Sequence, residues 1–340
     1  MDEGKHAMEA GEAPIEMTPT DGDILWMTHL PTVAGIYPHD GAQTSMLIDG
    51  DYLYFNSCNG VDTTHRKVRK PDAPSLIVLD KKTGKLLAGD GEHLGPFVIH
   101  AVWSPPAMAK INGKKRIFFG GPNGFAYAFE PLGTPAPAEM QTLKKIWEFN
   151  CDLAAPTENI HSYQENRKES RSAIESMPVF YKDRIYVAVG GDIWWGKEQS
   201  WVKCIDATKQ GDLTAAGPIW SFEMKHHCST TPAIAEGMVF VADCAGLVHC
   251  LDAETGQEYW NHDLGGEIWS SPLVADGKVY TCSLKKNFAV FALSKEKKLL
   301  FNTKLPSNVS GTPVAANGVL YVNTLDTLYA LQEGAQGKAE

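Results

Sequence analysis

The chain contains 340 residues with 31 basic and 41 acidic side chains, which gives a formal net charge of −10 at pH 7. This acidic excess argues against a nucleic-acid-binding surface, which depends on clustered Lys and Arg. The sequence contains no apolar run as long as a transmembrane helix, so we predict no membrane span. One radially repeated sheet structure can accommodate this length, and we therefore predict a single domain over residues 21–334.

Both ends of the chain are predicted to be disordered. Residues 1–20 are acidic and rich in small side chains, and residues 335–340 are polar or small. The N-terminal segment has no apolar core of the kind found in signal peptides. Two interpretations stay open: a cytoplasmic protein, or an exported, periplasmic protein whose leader is absent from this sequence.

The first apolar segment, residues 24–26, matches the last strand of a repeat but has no earlier strands before it. From there to the C-terminus, six two-residue turns recur, each followed at once by an apolar strand. Asn-Gly and Asp-Gly suit the positive backbone angles of a two-residue hairpin, and Lys-Asp is the poorest fit of the set. The six predicted turns are Asp49-Gly50, Asn112-Gly113, Lys182-Asp183, Glu236-Gly237, Asp276-Gly277 and Asn317-Gly318.

The segment from Cys228 to Leu264 is one complete copy of the repeating pattern. Apolar and polar residues alternate through four short segments that are separated by Gly-bearing pairs, which predicts a four-stranded antiparallel meander. Asp252 and Thr255-Gly256 form its last turn, and Trp260 lies in its last strand. Such a sheet has two apolar faces and needs neighbouring sheets to cover them.

Residues 251–260 resemble the tryptophan-docking repeat of the pyrroloquinoline-quinone-like β-propellers, and the resemblance extends over nearly the whole chain from residue 24. It implies an all-β propeller of four-stranded antiparallel blades. The family includes quinone-dependent dehydrogenases and also cofactor-free scaffolds, such as the lipoprotein of the outer-membrane barrel assembly machine. The resemblance therefore implies a fold rather than a function, and it favours export.

Six blades are predicted, at residues 42–90, 102–149, 173–223, 228–264, 268–305 and 309–332. The last blade lacks its fourth strand, and residues 24–30 are a fourth strand without a blade. Propellers commonly use such a terminal strand to remove an exposed sheet edge, so we expect residues 24–30 to pair with Thr327–Gln332. Alternatively, a longer natural chain would have seven or eight blades, with Trp26 belonging to a blade that this sequence lacks.

The long loops should share one face of the propeller. In a four-stranded meander, the second-to-third loops and the links between blades lie at the same end of the sheet. Long segments that fall at this end are 31–44, 56–74, 90–102, 150–174 and 190–200, whereas the links Pro131–Thr142 and Lys209–Gly217 fall at the other. Binding residues usually lie on loops that a rigid scaffold presents together.

The links between blades bring polar and aromatic residues to the centre of this face. A pocket for a polar ligand is one interpretation; the alternative is that the histidines bond loop carbonyls and the tryptophans cover the core. We predict ligand-binding residues and no metal site. The predicted residues are His39, Asp40, His100, Trp103, Arg171, His226, His227, Glu267 and Trp269.

Three other features carry weaker predictions. The basic run from His65 to Lys70 could contact a polyanion but is more typical of a solvated loop. Trp194-Trp195 could stack on a sugar or a partner surface, or pack on its own blade. The seven cysteines show no Cys-x-x-Cys spacing, and a Cys228–Cys244 disulfide is one residue out of register.

Three functions remain: a non-catalytic propeller that binds a protein partner or small polar ligand, a quinone-dependent dehydrogenase, and a hydrolase or lyase that uses the central histidines. Quinone-dependent alcohol dehydrogenases of this fold hold the cofactor with adjacent, disulfide-bonded cysteines, a stacking tryptophan and a calcium ion. This sequence has no two adjacent cysteines, and the rim segments offer only Asp40 and Glu267 as carboxylates. We therefore predict the first function, with no cofactor. The sequence leaves the oligomeric state open.

Overall fold

The computed structural model describes residues 24–39 and 45–335. The predicted disordered segment 1–20 lies outside the described residues, as do residues 336–340 of the predicted tail. Almost all regular secondary structure in the described residues is β-strand, with one five-residue helix, α1 (Leu30–Ala34). Three single 3₁₀ turns occur in the loops, at Gly95–Phe97, Ile160–Tyr163 and Thr214–Ala216.

The strands form six sheets that follow one another along the chain. Sheet 1 contains β1 (Leu47–Asp49), β2 (Tyr52–Asn56), β3 (Leu76–Asp80) and β4 (Leu86–Gly89). Sheet 2 contains β5 (Ala107–Ile111), β6 (Lys114–Gly120), β7 (Phe125–Phe129) and β9 (Lys145–Asn150). Sheet 3 contains β10 (Val179–Tyr181), β11 (Arg184–Gly190), β12 (Ser200–Asp206) and β14 (Trp220–Met224).

Sheets 4 and 5 repeat the same four-stranded order, and sheet 6 has three strands among the described residues. Sheet 4 contains β15 (Ala233–Ala235), β16 (Met238–Ala242), β17 (Leu247–Asp252) and β18 (Glu258–Asp263). Sheet 5 contains β19 (Leu273–Ala275), β20 (Lys278–Cys282), β21 (Asn287–Ala292) and β22 (Leu299–Lys304). Sheet 6 contains β23 (Val314–Ala316), β24 (Val319–Asn323) and β25 (Leu328–Leu331).

Two short strands tie sheet 1 to sheet 2 and sheet 2 to sheet 3. β8 (Gln141–Thr142), in the long link of sheet 2, pairs in parallel with β4 of sheet 1. β13 (Gly211–Asp212), in the corresponding link of sheet 3, pairs in parallel with β9 of sheet 2. These links therefore extend the preceding sheet, although their length alone indicated only loops.

Five of the six predicted hairpin turns are confirmed by the strand register. In the fourth turn, for example, Ala235 lies opposite Met238, and both Glu236 and Gly237 have positive φ angles. The first turn is shifted by one residue from the prediction: Asp49 pairs with Tyr52, so the turn residues are Gly50 and Asp51 rather than Asp49 and Gly50. Gly50 supplies the positive φ in either alignment, so the dipeptide pattern did not determine which neighbour joins it.

The hydrophobic core lies between consecutive sheets. Alternate residues of each sheet point to opposite faces, so β11 packs Val187 against sheet 2 and Tyr186 against sheet 4. Equivalent clusters join sheets 1 and 2, sheets 4 and 5, and sheets 5 and 6. A face of a sheet is thus buried only where a neighbour covers it, and Val314 and Leu328 of sheet 6 are exposed.

A tryptophan in a fourth strand reaches across to the following sheet. The indole N–H of Trp220 donates to the carbonyl of Ala253 at 3.0 Å, and that of Trp260 donates to Ser294 at 3.0 Å. The Trp220 ring lies against Gly256, where a Cβ atom would come within 2.5 Å of the ring. Glycine at this turn leaves the space that the neighbouring tryptophan fills.

The predicted pairing of residues 24–30 with the last sheet is wrong. Trp26 donates its indole N–H to Lys81 at 2.9 Å and lies against Gly84, as Trp220 does with Ala253 and Gly256. The segment therefore docks on sheet 1, while β25 pairs with β24 alone among the described strands. The sequence pattern correctly marked Trp26 as a tryptophan that docks on a sheet, here sheet 1. It did not predict which strand, if any, lies beside residues 24–30.

All seven cysteines lie in the described residues and are buried, and Cys228 and Cys244 do not form a disulfide. Burial raises the pKa of the Cys228 thiol to about 12, which keeps this group protonated and unreactive at neutral pH. None of the helices in the described part of the chain has the length and apolarity needed to span a bilayer.

We expect Gly256→Ala to destabilise the protein more than Gly237→Ala. Both glycines have positive φ, at 73° and 76°, so both substitutions carry the same backbone strain of about 1–2 kcal/mol. Only at Gly256 does the added Cβ meet the Trp220 ring, which adds an overpacking cost of about 1–3 kcal/mol. Urea denaturation of the two variants measures the difference, and equal midpoints would show that the tryptophan contact adds nothing.

Candidate functional site

Three loop segments meet at the seam between sheets 1 and 2, on the face that carries the long loops. Isolated β-bridges join Pro38 to Asn59 and Gly60 to Ala101. The Gly60 position tolerates no side chain, because a Cβ there would lie 2.5 Å from the Cβ of His39 and 2.7 Å from the carbonyl of His100. The backbone is therefore held close to both histidines.

A third histidine completes a cluster at this seam. His65 lies in the hairpin that bridges Val61 and Val68, and its Nε2 is 3.0 Å from Nε2 of His39. The His100 ring lies 5.1 Å from the His39 ring and 5.3 Å from the His65 ring. One ligand atom from each of these residues falls within 4.8 Å of the others. We call this group the histidine cluster.

A buried carboxylate connects the histidine cluster to the adjacent loop. Asp192 follows β11, and its Oδ2 lies 3.3 Å from Nδ1 of His100 with both side chains buried. Its Oδ1 accepts the backbone N–H groups of Trp194 and Trp195, each at 2.8 Å. Asp192 therefore fixes the Trp194-Trp195 loop and the His100 ring at the same time.

A cavity of about 590 Å³ lies beside the cluster and is lined by five sheets. Most of its lining comes from the segments that lead into the first strands of sheets 2 to 6, which is the arrangement expected at the centre of radially placed sheets. We call it the central cavity. Its lining residues are Trp103, Pro105, Glu175, Ile193, Trp194, Ser229, Thr231, Trp269, Ser310, Gly311 and Asn323.

Two tryptophans from different sheets meet at this cavity. The Trp194 ring, 53% exposed, lies 5.3 Å from the Trp269 ring at nearly a right angle. The Trp269 indole donates to a carboxylate oxygen of Glu267 at 3.2 Å. The pair presents a large aromatic surface, with the Trp194 backbone held by Asp192 and the Trp269 indole held by Glu267.

Glu175 provides the carboxyl group of the cavity lining. Burial raises its pKa well above the usual range, and the nearby charge of Asp192 adds to the effect. The raised pKa favours the protonated form of Glu175, which can donate a hydrogen bond instead of presenting a negative charge.

The other predicted site residues have different surroundings. Arg171 is buried, donates to the carbonyls of Pro156 and Asn123, and lies over the Phe97 ring. His227 is buried, and burial together with the charges of Arg167 and His226 lowers its pKa. Arg171, His226 and His227 are not among the described residues that line the central cavity. Asp40 lies outside the described residues.

The sequence prediction did not include His65, Asp192, Glu175 and Trp194 among the site residues. His65 was placed in a solvated basic run because its neighbours in sequence are Arg and Lys. The available signal was positional: His65 lies in the second-to-third loop of sheet 1, which shares a face with the links that carry His39 and His100. Asp192 and Glu175 have no motif, and only the folded structure brings them to this face.

A buried ion pair joins two of the long loops on this face. Lys197 donates to Asp152, which also accepts a hydrogen bond from the Ser172 hydroxyl at 2.6 Å. Burial alone would raise the pKa of Asp152, but the hydrogen bonds from Lys197 and Ser172 outweigh it and the pKa is lowered. The charged form of Asp152 is thus stabilised only while these partners are present.

We expect Lys197→Met to lower the free energy of unfolding by about 3–5 kcal/mol at pH 7, because it leaves the Asp152 carboxylate buried without its partner. The double variant Lys197→Met/Asp152→Asn should recover most of this loss, since it removes the buried charge. Chemical denaturation at pH 7 measures both. A Lys197→Met variant as stable as the wild type would contradict the assignment.

The same pair should make stability depend on pH in the acid range. A lowered folded-state pKa stabilises the fold above the unfolded pKa of about 3.9, and this contribution disappears as the pH falls through the folded-state pKa. Asp152→Asn should therefore lose less stability than the wild type below about pH 4. Denaturation curves at a series of pH values give the comparison, and parallel losses in the two proteins would refute it.

The lining of the central cavity does not fit a calcium-held quinone. Calcium takes several oxygen ligands, mainly carboxylates, whereas the described lining residues include one carboxyl group, that of Glu175, whose pKa is raised. Trp103 and Trp269 could stack on a flat ring, but aromatic rings alone do not define a cofactor site. That the protein works without a cofactor stays a prediction.

Comparisons with known proteins give matches of two kinds. A family model described as "Outer membrane protein assembly factor BamB" matches residues 198–297. The protein of that name from Burkholderia pseudomallei is 30% identical over 111 residues, covering 32% of this chain and 29% of the relative. The protein of the same name from Shewanella oneidensis is 30% identical over 109 residues, covering 31% of this chain and 28% of the relative. The matched region is less than a third of the length of these curated relatives.

Solved structures extend the likeness over most of the chain. The crystal structure of BamB from Moraxella catarrhalis has a TM-score of 0.53 at 13% identity and covers 86% of this chain and 70% of that chain. The crystal structure of the computationally designed Ika8 protein has a TM-score of 0.54 at 14% identity and covers 85% of this chain and 70% of that chain. At these identities the likeness concerns the fold alone.

Proposed function

The chain belongs to the PQQ-like repeat β-propeller family, and from that premise we propose that it is a non-catalytic binding protein that holds a protein partner at its long-loop face. The relatives with matching repeats are named outer membrane protein assembly factors. A factor in assembly acts on other proteins, and we propose the same class of partner here. Export to the periplasm is part of this proposal.

The observation that carries the proposal is the Trp194–Trp269 pair beside the central cavity. Exposed tryptophans held in a fixed orientation supply large contact area at little entropic cost, and Trp is enriched among residues that dominate binding energy. Trp194 is 53% exposed although Asp192 holds its backbone. An exposed aromatic side chain on an anchored backbone is suited to contact a partner.

The shape of the face favours an extended protein segment over a small ligand. The central cavity is open, and its lining contains both aromatic rings and hydroxyl groups, those of Trp103, Trp194 and Trp269 and of Ser229, Thr231 and Ser310. A peptide strand or loop would place apolar side chains against the rings and backbone groups against the hydroxyls. A small polar ligand at the same cavity is the alternative, and the experiment below separates the two.

We expect a photo-cross-linking residue at Glu198, exposed and close in sequence to Trp194, to form discrete protein adducts in an extract of cells that express the chain natively. The same residue at Glu236, on the face of the tight hairpin turns, should form few. Unlabelled wild-type protein in excess should suppress the Glu198 adducts. The double variant Trp194→Ala/Trp269→Ala should need a concentration at least about 30-fold higher to suppress the adducts equally, because it lacks the aromatic side chains that contact the partner.

Phe301→Ala is the matched control. Phe301 is also 53% exposed, but it lies in β22 at the fourth-strand edge of sheet 5. This variant should compete as well as the wild type. Equal competition by the double tryptophan variant, or adducts that are as abundant at Glu236, would reject the long-loop face as the binding surface. Suppression by a small-molecule fraction instead of by the protein would favour the small-ligand alternative.

We also expect no quinone-dependent turnover. When the protein is mixed with pyrroloquinoline quinone and calcium, alcohols and aldoses should not reduce an electron-accepting dye, because the described cavity lining supplies one carboxyl group where calcium needs several oxygen ligands. Dye reduction that depends on the quinone, or tight stoichiometric binding of it, would overturn the non-catalytic assignment.

A further inference from the structure

We propose that His39, His65 and His100 form a binding site for one divalent transition-metal ion of the zinc class. The three residues come from separate loop segments that meet at the seam between sheets 1 and 2, and their ligand atoms lie within 4.8 Å of one another. None of the three lines the central cavity. The metal site therefore stands independently of the proposed partner binding.

The spacing of the histidines is close to that of a coordinated ion. Three atoms within 4.8 Å of one another share a point no more than about 2.8 Å from each. Zinc–nitrogen bonds are about 2.0–2.1 Å, which places ligating nitrogens roughly 3.3 Å apart in a tetrahedral site. The 3.0 Å separation of the His39 and His65 Nε2 atoms is near this value. Side-chain movements of less than about 1 Å would complete the geometry.

An outer-shell carboxylate orients one of the three ligands. Metal-binding histidines usually donate their second ring N–H to a carboxylate or carbonyl, which fixes the tautomer and the ring orientation. Asp192 is placed for this role, because its Oδ2 lies 3.3 Å from Nδ1 of His100 in a buried setting.

The backbone around the cluster is held in the required shape. His65 adopts a left-handed conformation with φ of 57°, which is uncommon for histidine and concentrated at functional sites. Its N–H donates to the carbonyl of Asp62 at 2.9 Å, and its carbonyl accepts from the Gln164 amide at 2.9 Å. His39 is anchored by its N–H, which donates to Cys58 at 3.1 Å. Both ligands are thus positioned before an ion arrives.

The donor set selects the class of metal. Three imidazoles suit zinc, copper, nickel and ferrous ions, whereas calcium and magnesium prefer oxygen ligands. The rings of Trp103 and Trp195 lie 4.7 Å from His100 and 6.0 Å from His65, so aromatic side chains flank the cluster. A three-histidine set leaves a further coordination position for water or another ligand.

Metal binding would fix the loops of this face. The ion would join the link before sheet 1, the second-to-third loop of sheet 1 and the link before sheet 2. Asp192 extends the connection to Trp194, because it contacts His100 with one oxygen and the Trp194 N–H with the other. Occupancy of the site would therefore stabilise the loop that carries the exposed tryptophan.

The test is a calorimetric titration of the full chain, without an affinity tag, after chelator treatment. With zinc chloride we expect one ion per chain and a dissociation constant of about 1 µM or lower. His65→Ala should weaken binding at least about 100-fold, and His39→Ala and His100→Ala should do the same. Calcium and magnesium at millimolar concentration should not compete.

Two further variants separate the site from general effects. His226→Ala removes a histidine on the same face but outside the cluster, and it should bind zinc like the wild type. Asp192→Asn should weaken binding by about 10-fold or more, and cobalt substituted for zinc should give an altered visible spectrum in this variant, as expected for a residue that positions a ligand.

Thermal denaturation with and without zinc distinguishes loss of metal binding from loss of folding. Zinc should raise the melting temperature of the wild type and of His226→Ala but not that of His65→Ala, which changes a half-buried loop residue. A dissociation constant of the wild-type protein for zinc of about 0.1 mM or higher would overturn the proposal. Binding that survives in a folded His65→Ala variant would overturn it as well.

Discussion

The sheets of this chain are stabilised by burial against one another, because a four-stranded sheet with two apolar faces cannot cover both by itself. Trp220 shows how the contact is made specific: its ring fills the space above Gly256, and its indole N–H donates to Ala253 in the following sheet. Trp26 makes the equivalent contacts with Gly84 and Lys81. A repeated contact between one sheet and the next thus fixes the spacing and direction in which the sheets succeed one another, and with them the loops.

The stacking explains why the candidate sites occupy one face. The segments that lead into the first strands converge there, which brings Trp103 of sheet 2, Trp269 of sheet 5 and Gly311 of sheet 6 to one cavity. The histidine cluster lies beside it because the loops of sheet 1 are bridged to the link before sheet 2, through Gly60 and Ala101. Asp192 connects the two sites, because its carboxylate contacts both His100 and the Trp194 backbone, although none of the three histidines lines the central cavity.

The sequence predicted the all-β fold and most of the hairpins, because these depend on local chemistry: alternation, Gly-bearing turns and the Asp-Thr-Gly motif. The predicted pairing of residues 24–30 with the last sheet was wrong. The docking of Trp26 depends on the turn at Gly84, which the sequence motif marks, whereas no local pattern marks which sheet edge a strand will pair with. His65 was missed because its neighbours in sequence are basic, while its contact with His39 crosses 26 residues. Buried polar groups such as Glu175 carry no sequence signal of their environment.

The folded loops bring three histidines that are distant in sequence to one point, where we propose that they bind a metal ion. X-ray absorption spectroscopy at the zinc edge, on protein loaded with one equivalent of zinc, tests it most directly. We predict a first shell of nitrogen and oxygen at about 2.0 Å, with outer-shell scattering from three imidazoles. A sulfur shell at about 2.3 Å would instead assign the ion to a cysteine, and scattering from fewer than two imidazoles would assign it to surface carboxylates. Either result would contradict the account.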